Sequence, residues 1–499
     1  MIDNSRMNSL DKPALILGQD TLSHAQLQTL RNQVAAALHR EGLRPGDVIA
    51  ICAAPSLAYV ATFLGSVQCG VVVAPLAPSS TAEHLAAMLD NAQAKLLFTD
   101  AETLDRLPPA QTTLPRIALD DQPPIGSPWS NWLEKNQPAP QVQPQADWPF
   151  NLIYSSGTTG VPKGIMQPFG MRWTQIERAR DNGYGPDSIC LNATPLYSNT
   201  TLVSLIPALA LGGTVVLMKK FDVRGYLELA QHHRVTHTML VPVQYQRLMD
   251  FADFDRYDLS HFQAKFCTSA PFRAKLKQDI LRRWPGGLTE YYGMTEGGGR
   301  TELHCHLFPE KLHTVGRPAQ GHDIRLIDDH GQEVAPGQSG EVVGSSAAMM
   351  KGYHRMPDKT REVEWFSADG KRFIRTGDVG CFDEDGFLIL GDRKKDMIIS
   401  GGFNVYPVDI ESVLLQHPSV KECAVVGVPS RSWGETPVAY VVLREAQAAP
   451  PESELMNWIN QRVGKVQRVS ALVYLEAMPR SEIGKILKRE LRLRHPELP

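Results

Sequence analysis

The segment from Tyr154 to Gly164 constrains this sequence more than any other. It reads YSSGTTGVPKG and overlaps the end of the apolar run Phe150–Tyr154. Glycines let backbone N–H groups approach an anion closely, hydroxyl groups donate hydrogen bonds to it, and a lysine neutralises its charge. The spacing is not that of a P-loop, because Gly164 follows Lys163 where a P-loop has Ser or Thr. A flexible surface loop would explain the composition but not the buried strand before it, so we predict a phosphate-binding loop.

Length and composition are those of an ordinary globular protein. The 499 residues suffice for at least two domains, and 42% of them are hydrophobic and 21% charged. The net charge of −3 gives no electrostatic case for binding nucleic acid or an anionic membrane surface. The seven cysteines are scattered without a C-x-x-C pair, which favours a reducing cytoplasm over a disulfide framework or a zinc site. We therefore predict a cytoplasmic protein.

Neither a signal peptide nor a membrane span is indicated. Met1–Met7 lacks an apolar core, and the most apolar window, Ala58–Ala77, is interrupted by Gln68, glycines and Pro75. That window predicts a buried helix followed by a strand at Val71–Val73.

Helix and strand patterns alternate over most of the chain. Ser23 is a predicted helix cap, with Gly42 closing that helix, and a strand is predicted at Val48–Cys52. Further short strands are predicted at Leu96–Phe98, Ser188–Asn192, Thr214–Leu217 and His237–Val241. Residues 121–147 are rich in Pro and Gln and predict an irregular surface connection. The alternation predicts an α/β fold with largely parallel sheets.

The composition changes near the C-terminal end. A charged hexapeptide, Gly391–Asp396, follows a predicted strand, and Pro407 opens a predicted helix. Strands are then predicted at Ala424–Val428 and Val438–Leu443. We predict a large N-terminal domain of β-sheets layered with helices (1–392), a hinge (393–396) and a small α+β C-terminal domain (397–499). A solvated turn is the alternative for the charged hexapeptide and stays open.

Three further motifs carry groups that suit a nucleotide. Tyr292–Glu296 (YGMTE) offers an aromatic ring for a purine, a hydroxyl for a phosphate oxygen and a carboxylate for Mg²⁺. Arg375–Asp378 (RTGD) offers a carboxylate for ribose hydroxyls, and Pro479–Lys485 (PRSEIGK) carries a lysine. Each of the three alone is equally well explained as an ordinary surface segment.

Together and in this order, the four motifs resemble those of the adenylate-forming superfamily. This group includes acyl-CoA synthetases, aryl-CoA ligases, peptide-synthetase adenylation domains and firefly luciferase. The resemblance extends from Gly46 to Lys488 and includes Ser400–Pro407 (SGGFNVYP). It implies a large domain with a small mobile lid, and ATP, Mg²⁺ and coenzyme A as cofactors or substrates.

The resemblance also implies the residues of the ATP site. Those matching the loop around the β- and γ-phosphates are Ser155, Ser156, Gly157, Thr158, Thr159, Gly160 and Lys163. Those matching the adenine site are Ala270, Pro271, Tyr292, Gly293 and Met294, with the Tyr292 ring stacked on the base. Thr295 matches the α-phosphate ligand, Glu296 the Mg²⁺ ligand and Asp378 the ribose clamp, with Arg393 near the ribose.

Two half-reactions are implied by the same resemblance. Lys485 matches the catalytic lysine that bridges the substrate carboxylate and the α-phosphate, and Lys395 matches the hinge position. Rotation about the hinge withdraws the lysine and presents a pantetheine tunnel. The residues matching that tunnel are Gly401, Gly402, Phe403 and Trp433.

The acyl pocket is the least regular part. The matching positions are Tyr197, Ser198, Asn199, Ser269, Tyr291, Gly298 and Arg300. No acid occurs in Thr194–Val203 to pair with an α-ammonium, so we do not expect an amino-acid substrate. Tyr291 stands where relatives often have glycine, and either fills part of the pocket or points outward. Arg300 either meets a polar substituent of the substrate or forms a structural ion pair.

We predict an AMP-forming acid–CoA ligase for a small, medium-sized or aromatic carboxylic acid, acting as a monomer or homodimer. The alternatives are an adenylation enzyme that loads a carrier protein, a medium- or long-chain fatty acid–CoA ligase, and a catalytically silent nucleotide-binding protein. A zinc site at His304-Cys305-His306 is not expected, because no second cluster completes a tetrahedral ligand set.

Overall fold

The structure is a computed structural model of the chain. It describes residues 10–104, 107, 114–122, 126–155, 162–393, 396–400, 403–445, 449–481 and 484–495. The chain divides into two compact units: unit 1 is Met1–Ile324 with Gly344–Ile374, and unit 2 is Arg325–Val343 with Arg375–Pro499. The domain boundary after residue 392 stays a prediction, and the proposed hinge residue Lys395 lies outside the described ranges.

The strands are as follows in chain order. They are β1 (Pro13–Leu17), β2 (Asp20–Ser23), β3 (Val48–Cys52), β4 (Val72–Pro75), β5 (Leu96–Thr99), β6 (Arg116–Ala118), β7 (Ser127–Pro128), β8 (Pro149–Ser155), β9 (Lys163–Pro168), β10 (Ile189–Asn192), β11 (Thr214–Leu217), β12 (His237–Leu240), β13 (Ala264–Cys267), β14 (Gly287–Gly293), β15 (Arg300–His304), β16 (Arg317–Pro318), β17 (His322–Ile327), β18 (Gly340–Ser346), β19 (Gly352–Tyr353), β20 (Glu364–Phe366), β21 (Arg372–Phe382), β22 (Leu388–Arg393), β23 (Ile398–Ser400), β24 (Phe403–Val405), β25 (Val420–Ser430), β26 (Gly434–Leu443) and β27 (Ala471–Tyr474).

The α-helices alternate with these strands. They are α1 (His24–Arg40), α2 (Leu57–Gln68), α3 (Ala82–Ala92), α4 (Ala101–Leu104), α5 (Trp129–Trp132), α6 (Phe169–Asp181), α7 (Asn199–Ala210), α8 (Val223–His232), α9 (Pro242–Met249), α10 (Ala274–Arg283), α11 (Pro357–Glu362), α12 (Pro407–Leu414), α13 (Glu452–Asn460) and α14 (Lys488–Leu493). Within the described ranges, none of them combines the length and the apolar character needed to cross a bilayer.

Two sheets form the framework of unit 1. Their strand orders are β16-β15-β14-β13-β12-β10-β11-β1-β2 and β19-β9-β8-β4-β3-β5-β6-β7. The inner strands of both sheets pair in parallel, whereas β2, β9, β15, β16 and β19 pair antiparallel towards the edges. This mixed architecture confirms the predicted α/β class.

Alternate residues of the central strands enter different cores. Ile49 and Ile51 of β3 belong to a large core that also includes α1, α2 and α7. Val48, Ala50 and Cys52 point to a second core, with Leu85 of α3. Because successive side chains of a strand point to opposite faces, a strand buried on both sides is apolar throughout, as the sequence of β3 is.

Local sequence signals explain several element boundaries. The side chain of Ser23 accepts a hydrogen bond from the backbone of Gln26, so Ser23 caps α1 as predicted. The Gln26 side chain accepts in turn from the Ser23 N–H, which completes a capping box. The prediction for 121–147 was incomplete, because this segment contains β7 and α5. Trp132 packs edge-on against Phe98 at 5.1 Å, and Trp129 Nε1 donates to Thr62 Oγ1 at 2.9 Å. Burial of two indole rings therefore outweighs the helix-poor composition.

Unit 2 contains a smaller sheet of order β24-β23-β26-β25, with β27 beside β26. Val425 and Val441 lie in a core with α12 and α13, and the alternate residues Val426 and Tyr440 lie in a core with α14. This is the α+β composition predicted for the C-terminal part of the chain.

Candidate active site

The predicted phosphate loop joins two antiparallel strands. β8 ends at Ser155 and β9 begins at Lys163, and these residues are paired in register. The Lys163 ammonium lies 5.1 Å from the centre of the Tyr353 ring, a cation–π distance. Outside the described part lie the side chain of Ser155 and the residues Ser156, Gly157, Thr158, Thr159 and Gly160. The role of the loop stays a prediction, whereas the strand pair fixes its two ends.

The residues predicted for adenine follow two neighbouring parallel strands. β13 ends at Cys267, shortly before Ala270 and Pro271, and β14 runs through Tyr292 to Gly293. Carboxyl ends of adjacent parallel strands share one edge of a sheet, and that edge is where α/β proteins bind ligands. Tyr292 is half-buried there.

A phenol orients the carboxylate of Glu296. Tyr353 Oη donates to Glu296 Oε1 at 2.9 Å, and the Met350 N–H donates to the Glu296 carbonyl at 2.7 Å. Burial, together with the neighbouring carboxylate, raises the pKa of Tyr353, so the phenol keeps its proton and remains a donor. One fixed carboxylate fits Mg²⁺, which usually binds through one or two carboxylates and the phosphates of its nucleotide.

The neighbouring Thr295 is held through its backbone. Gln167 Nε2 donates to the Thr295 carbonyl at 2.8 Å, and the Gln167 amide oxygen accepts from the buried Arg172. This contact attaches the YGMTE segment to β9, which begins at the predicted phosphate loop.

The glycines after Glu296 permit close backbone packing. A Cβ at Gly298 would lie 2.6 Å from Ile374 Cβ, and one at Gly299 would lie 2.3 Å from Ile324 Cδ1. The space beside these glycines is therefore occupied by other parts of unit 1. The place of Gly298 in the acyl pocket stays a prediction, since the space where a side chain would project is filled by Ile374.

Tyr291 points into unit 1 and joins a stack of rings. Its ring lies 5.7 Å from that of Phe266 at an interplanar angle of 10°, and Phe266 lies 6.0 Å from Tyr184 at 19°. The Arg300 guanidinium lies 4.9 Å from the centre of the Tyr291 ring. Asn182 Nδ2 donates to Tyr291 Oη at 3.2 Å, so the phenol has a fixed orientation.

The other predicted pocket residues lie on two connected segments. Ser198 caps α7 by accepting from the Thr200 N–H, and Thr200 Oγ1 lies 2.8 Å from Ser269 Oγ. Ser269 has φ of 84°, a strained conformation for a residue other than glycine and one that is concentrated at functional sites. The hydroxyl of Tyr197 is buried and has no hydrogen-bond partner among the described residues. Ser198 and Ser269 thus lie on connected segments, and their part in an acyl pocket stays a prediction.

A charged cluster adjoins Tyr291. Arg300 Nη2 lies 3.6 Å from Glu302, and Arg178 contacts His322 Nε2 at 2.5 Å. Burial and the charges of Arg300 and Arg178 lower the pKa of His322 to about 3, so the imidazole is neutral. Among the residues that the structure describes, the buried Nδ1 of His322 and Nε of Arg300 find no hydrogen-bond partner, so two polar groups at this end of the stack are unsatisfied there.

Unit 2 carries the predicted ribose and catalytic residues. Asp378 lies in β21, where its N–H donates to Thr376 Oγ1 at 3.0 Å and its backbone pairs with that of Arg393. The Arg393 side chain lies outside the described part. Lys485 is exposed, and the Ser481 N–H donates to its carbonyl at 2.8 Å.

The predicted pantetheine residues lie on an exposed apolar surface of unit 2. Phe403 is 62% exposed, Trp433 45% and Ile399 52%. Gly401 and Gly402 lie outside the described residues. Exposed rings of this size on neighbouring segments indicate a binding surface.

The imidazoles of His304 and His306 lie within hydrogen-bond distance of groups on the neighbouring strand β14. His304 Nδ1 lies 3.1 Å from Thr289 Oγ1, and His306 Nδ1 lies 3.2 Å from the Leu288 backbone. In the part of the chain that the structure covers, no group of three or more His, Cys, Asp or Glu residues is placed to hold a metal ion.

Sequence reasoning missed the side chains that orient the predicted ones. Tyr353 lies 57 positions after Glu296, so no local spacing connects the two. Gln167 and Arg172 follow the phosphate loop directly, but nothing in their spacing indicates contacts with Thr295 or Asn199. Nothing in the sequence around Asn182 or His322 indicated that these residues contact Tyr291 and Arg178.

Comparison with known proteins identifies the family. The AMP-binding enzyme family matches residues 3–354, and the AMP-binding enzyme C-terminal domain matches residues 409–485. The chain belongs to the AMP-binding enzyme family.

Members of the AMP-binding enzyme family resemble the chain over nearly its full length. A feruloyl-CoA synthase from Amycolatopsis sp is 34% identical over 96% of this chain and 94% of that protein. A 4-coumarate-CoA ligase from Narcissus pseudonarcissus is 30% identical over 97% of this chain and 91% of that protein. The structure of ATP-bound MatB from Rhodopseudomonas palustris has a TM-score of 0.87, with 28% identity over 98% of this chain and 97% of that one.

Membership in the AMP-binding enzyme family confirms the predicted enzyme class. The chain is an AMP-forming acid–CoA ligase: it converts a carboxylic acid and ATP to an acyl-adenylate and then transfers the acyl group to coenzyme A. Its small-molecule partners are the acid, ATP and CoA, and Mg²⁺ is typical of the family.

Replacing Tyr353 with phenylalanine tests the orientation of Glu296. We expect acid-driven ATP–pyrophosphate exchange to fall about tenfold and to need more Mg²⁺, because losing a partner of a metal ligand typically costs 10–100-fold. Titration of the exchange rate with Mg²⁺ measures this, with Tyr257→Phe as a tyrosine control elsewhere in unit 1. An unchanged Mg²⁺ dependence in Tyr353→Phe would contradict the role of the hydrogen bond.

Proposed function

We propose that the enzyme activates a compact aromatic carboxylic acid. The observation that carries this proposal is the stack of Tyr184, Phe266 and Tyr291, which lies against the large core of unit 1 and ends at Arg300. Tyr291 immediately precedes Tyr292 in β14, so its backbone adjoins the predicted adenylate site. A bulky ring there shortens the space for a straight acyl chain, and aromatic side chains favour edge-to-face or offset contact with an aromatic substrate.

Two further observations support an aromatic acid. The relatives with 30% and 34% identity are a 4-coumarate-CoA ligase and a feruloyl-CoA synthase, whose names refer to aromatic acids. Nδ1 of His322 and Nε of Arg300, which have no hydrogen-bond partner in the described part of the chain, are donors, and this suits an oxygen-bearing substituent on the substrate ring. A plain hydrocarbon chain would leave both donors unpaired.

Each site residue is assigned one role in the first step, the formation of the acyl-adenylate. We propose that Lys163 and its loop bind the β- and γ-phosphates, Thr295 binds the α-phosphate and Tyr292 stacks on adenine. Asp378 and Arg393 are assigned to the ribose. Glu296 would hold Mg²⁺, which when bound spreads charge away from the leaving pyrophosphate.

The substrate carboxylate then attacks the α-phosphorus, and pyrophosphate leaves. Two anions approach each other in this step, and Lys485 is assigned to cancel their repulsion where the charge develops. In the second step the CoA thiol attacks the acyl carbon and AMP leaves. Phe403, Trp433 and the neighbouring Gly401 and Gly402 are assigned to the pantetheine arm. This assignment is supported by the exposed apolar surface, and it includes motion of the small domain about Lys395.

A substrate comparison tests the proposal. Benzoate, 4-hydroxybenzoate, cinnamate, 4-coumarate and ferulate are compared with butyrate, octanoate and palmitate, each assayed for AMP release and for acyl-CoA. We expect at least one aromatic acid to exceed every aliphatic acid by about 100-fold in kcat/KM, roughly the discrimination available from well-fitted pocket contacts. A faster rate with octanoate or palmitate would overturn the proposal.

Variants of Tyr291 connect that result to the structure. Tyr291→Gly is expected to increase kcat/KM for longer acids, whereas Tyr291→Phe keeps the ring and retains the preference for short aromatic acids.

The same assays also test the acyl acceptor. AMP release without acyl-CoA formation from free CoA would instead favour loading of a carrier protein.

We also infer a cytoplasmic location. Within the described part of the chain no disulfide joins the cysteines, most of which are buried, and both ATP and CoA are intracellular substrates.

A further inference from the structure

Arg172 is a buried cation that pairs with neutral side chains. The residue is 1% exposed, and in the part of the chain that is described no carboxylate lies within salt-bridge distance of it. Burial lowers the pKa of Arg172 to about 9, which still leaves the guanidinium charged at pH 7. A buried charge without an opposite charge is costly, whereas a methionine or leucine would pack there without that cost. An arginine at this position therefore calls for an explanation beyond packing.

The Arg172 fork joins elements that carry the site. Nη2 donates to Asn151 Oδ1 of β8 at 3.1 Å and to Asn199 Oδ1 of α7 at 2.9 Å, and it also contacts the Gln167 amide oxygen of β9. Nη1 donates to Gln175 at 2.9 Å. A planar guanidinium offers donors in a rigid arrangement, so it fixes the relative positions of its acceptors.

The contact with Gln167 sets the direction of an amide. The Gln167 oxygen faces the guanidinium, which leaves its NH₂ group to donate to the Thr295 carbonyl at 2.8 Å. The Asn199 amide oxygen, 3.3 Å from Gln167 Nε2, favours the same orientation, and the reversed amide would place its oxygen against the Thr295 oxygen. Arg172 thus stabilises the orientation of Gln167 in which the Thr295–Glu296 segment is attracted rather than repelled.

The contact with Asn199 reaches the other side of the site. Asn199 is the first residue of α7, next to the helix cap Ser198, which is predicted to line the acyl pocket. Gln167 Nε2 also lies 3.3 Å from Asn199 Oδ1, so the three side chains form one network.

We propose that Arg172 is a positioning residue for adenylation: through Gln167 and Asn199 it holds the Thr295–Glu296 segment and the start of α7 in register with each other. The proposal rests on the proposed function, in which Thr295 and Glu296 bind the α-phosphate and Mg²⁺. Small misplacement of such groups costs rate rather than binding, up to about 100-fold per ångström.

The first test is a double-mutant cycle in the full-length enzyme. Arg172→Met and Gln167→Leu are each expected to lower kcat of acid-driven ATP–pyrophosphate exchange by about 10- to 100-fold, with a smaller effect on KM for ATP. The double variant is expected to match Arg172→Met, since both changes break one chain of contacts. Effects that multiply would overturn the proposal.

The second test separates position from stability. Gln167→Glu gives Arg172 a carboxylate partner but has no N–H to offer Thr295, so we expect it to keep the thermal stability and still lose exchange. Arg172→Lys should not restore the rate, because an ammonium lacks the fork. Wild-type exchange in Gln167→Glu would overturn the proposal.

Two controls keep the outcomes distinct. Arg31→Met removes a partly buried arginine on α1, which donates to Gln28, and is expected to leave exchange unchanged. If no acid drives exchange in the wild-type enzyme, or if Glu296→Gln exchanges normally, the proposed function fails. If the wild-type enzyme and Glu296→Gln both behave as expected, the double-mutant cycle tests the role of Arg172 separately from the proposed function.

Discussion

Replacing Lys485 with alanine will suppress acid-driven adenylation and largely spare the thioester step. The carboxylate and the α-phosphate are both anionic, and a lysine between them stabilises the charge that develops as the bond forms. Groups of this kind are worth about 3–4 kcal/mol of barrier, so we expect ATP–pyrophosphate exchange to fall about 100- to 1,000-fold. Lys485 is exposed, so we do not expect its replacement to disturb a buried core.

Two half-reactions are measured on the same variant. Exchange reports adenylation, and conversion of supplied acyl-adenylate with CoA to acyl-CoA reports the second step, in which Lys485 has no assigned part. Lys421→Ala, at another exposed lysine of unit 2, is the matched control and should affect neither rate. Equal loss of both half-reactions would contradict the assigned role.

Replacing Lys277 with methionine will destabilise unit 1 more than any change at its surface. Lys277 is 1% exposed, forms an ion pair with Glu290, and donates to the carbonyls of Leu312 and Thr314 at 2.8 and 3.1 Å. Removing one member of a buried pair leaves the other uncompensated, which costs about 3–5 kcal/mol of unfolding free energy. Glu290 directly precedes Tyr291 in β14, so the site depends on this pair for its support.

The unfolding free energy lost in Lys277→Met depends on pH. Burial raises the pKa of Glu290 while Lys277 acts to lower it, so loss of Lys277 raises that pKa further. An acid whose pKa is higher in the folded than in the unfolded state loses stability as pH rises from its unfolded value through its folded value. We therefore expect Lys277→Met to lose less stability relative to wild type at pH 5 than at pH 8.

Urea unfolding at the two pH values measures this, with Lys275→Met on the exposed side of the same helix as the control. Adding Glu290→Gln to Lys277→Met removes the unpaired charge and should recover most of the loss. A double variant as unstable as the single one would show that packing, not charge, causes the effect.

Elements with strong local signals were predictable. The cap and the box at Ser23 involve residues three apart, and the apolar strand Thr214–Leu217 has the bounds that its pattern indicated. The helix Trp129–Trp132 was not, because its stability comes from Phe98 and Thr62, which are distant in the chain. Local propensity yields to burial of large side chains in such segments.

The sequence by itself determined the chemistry of this protein. The phosphate loop, YGMTE, RTGD and the Lys485 segment are short and contiguous, so their groups appear together in the chain whatever the packing. Only the tertiary structure decided how those groups are oriented. Tyr353 donates a hydrogen bond to Glu296, which lies 57 positions away in the chain, and Arg172 donates to Asn151 and Asn199, which belong to separate elements. Hydrogen bonds between distant segments depend on how strands and helices pack, and spacing along the chain carries no record of that packing.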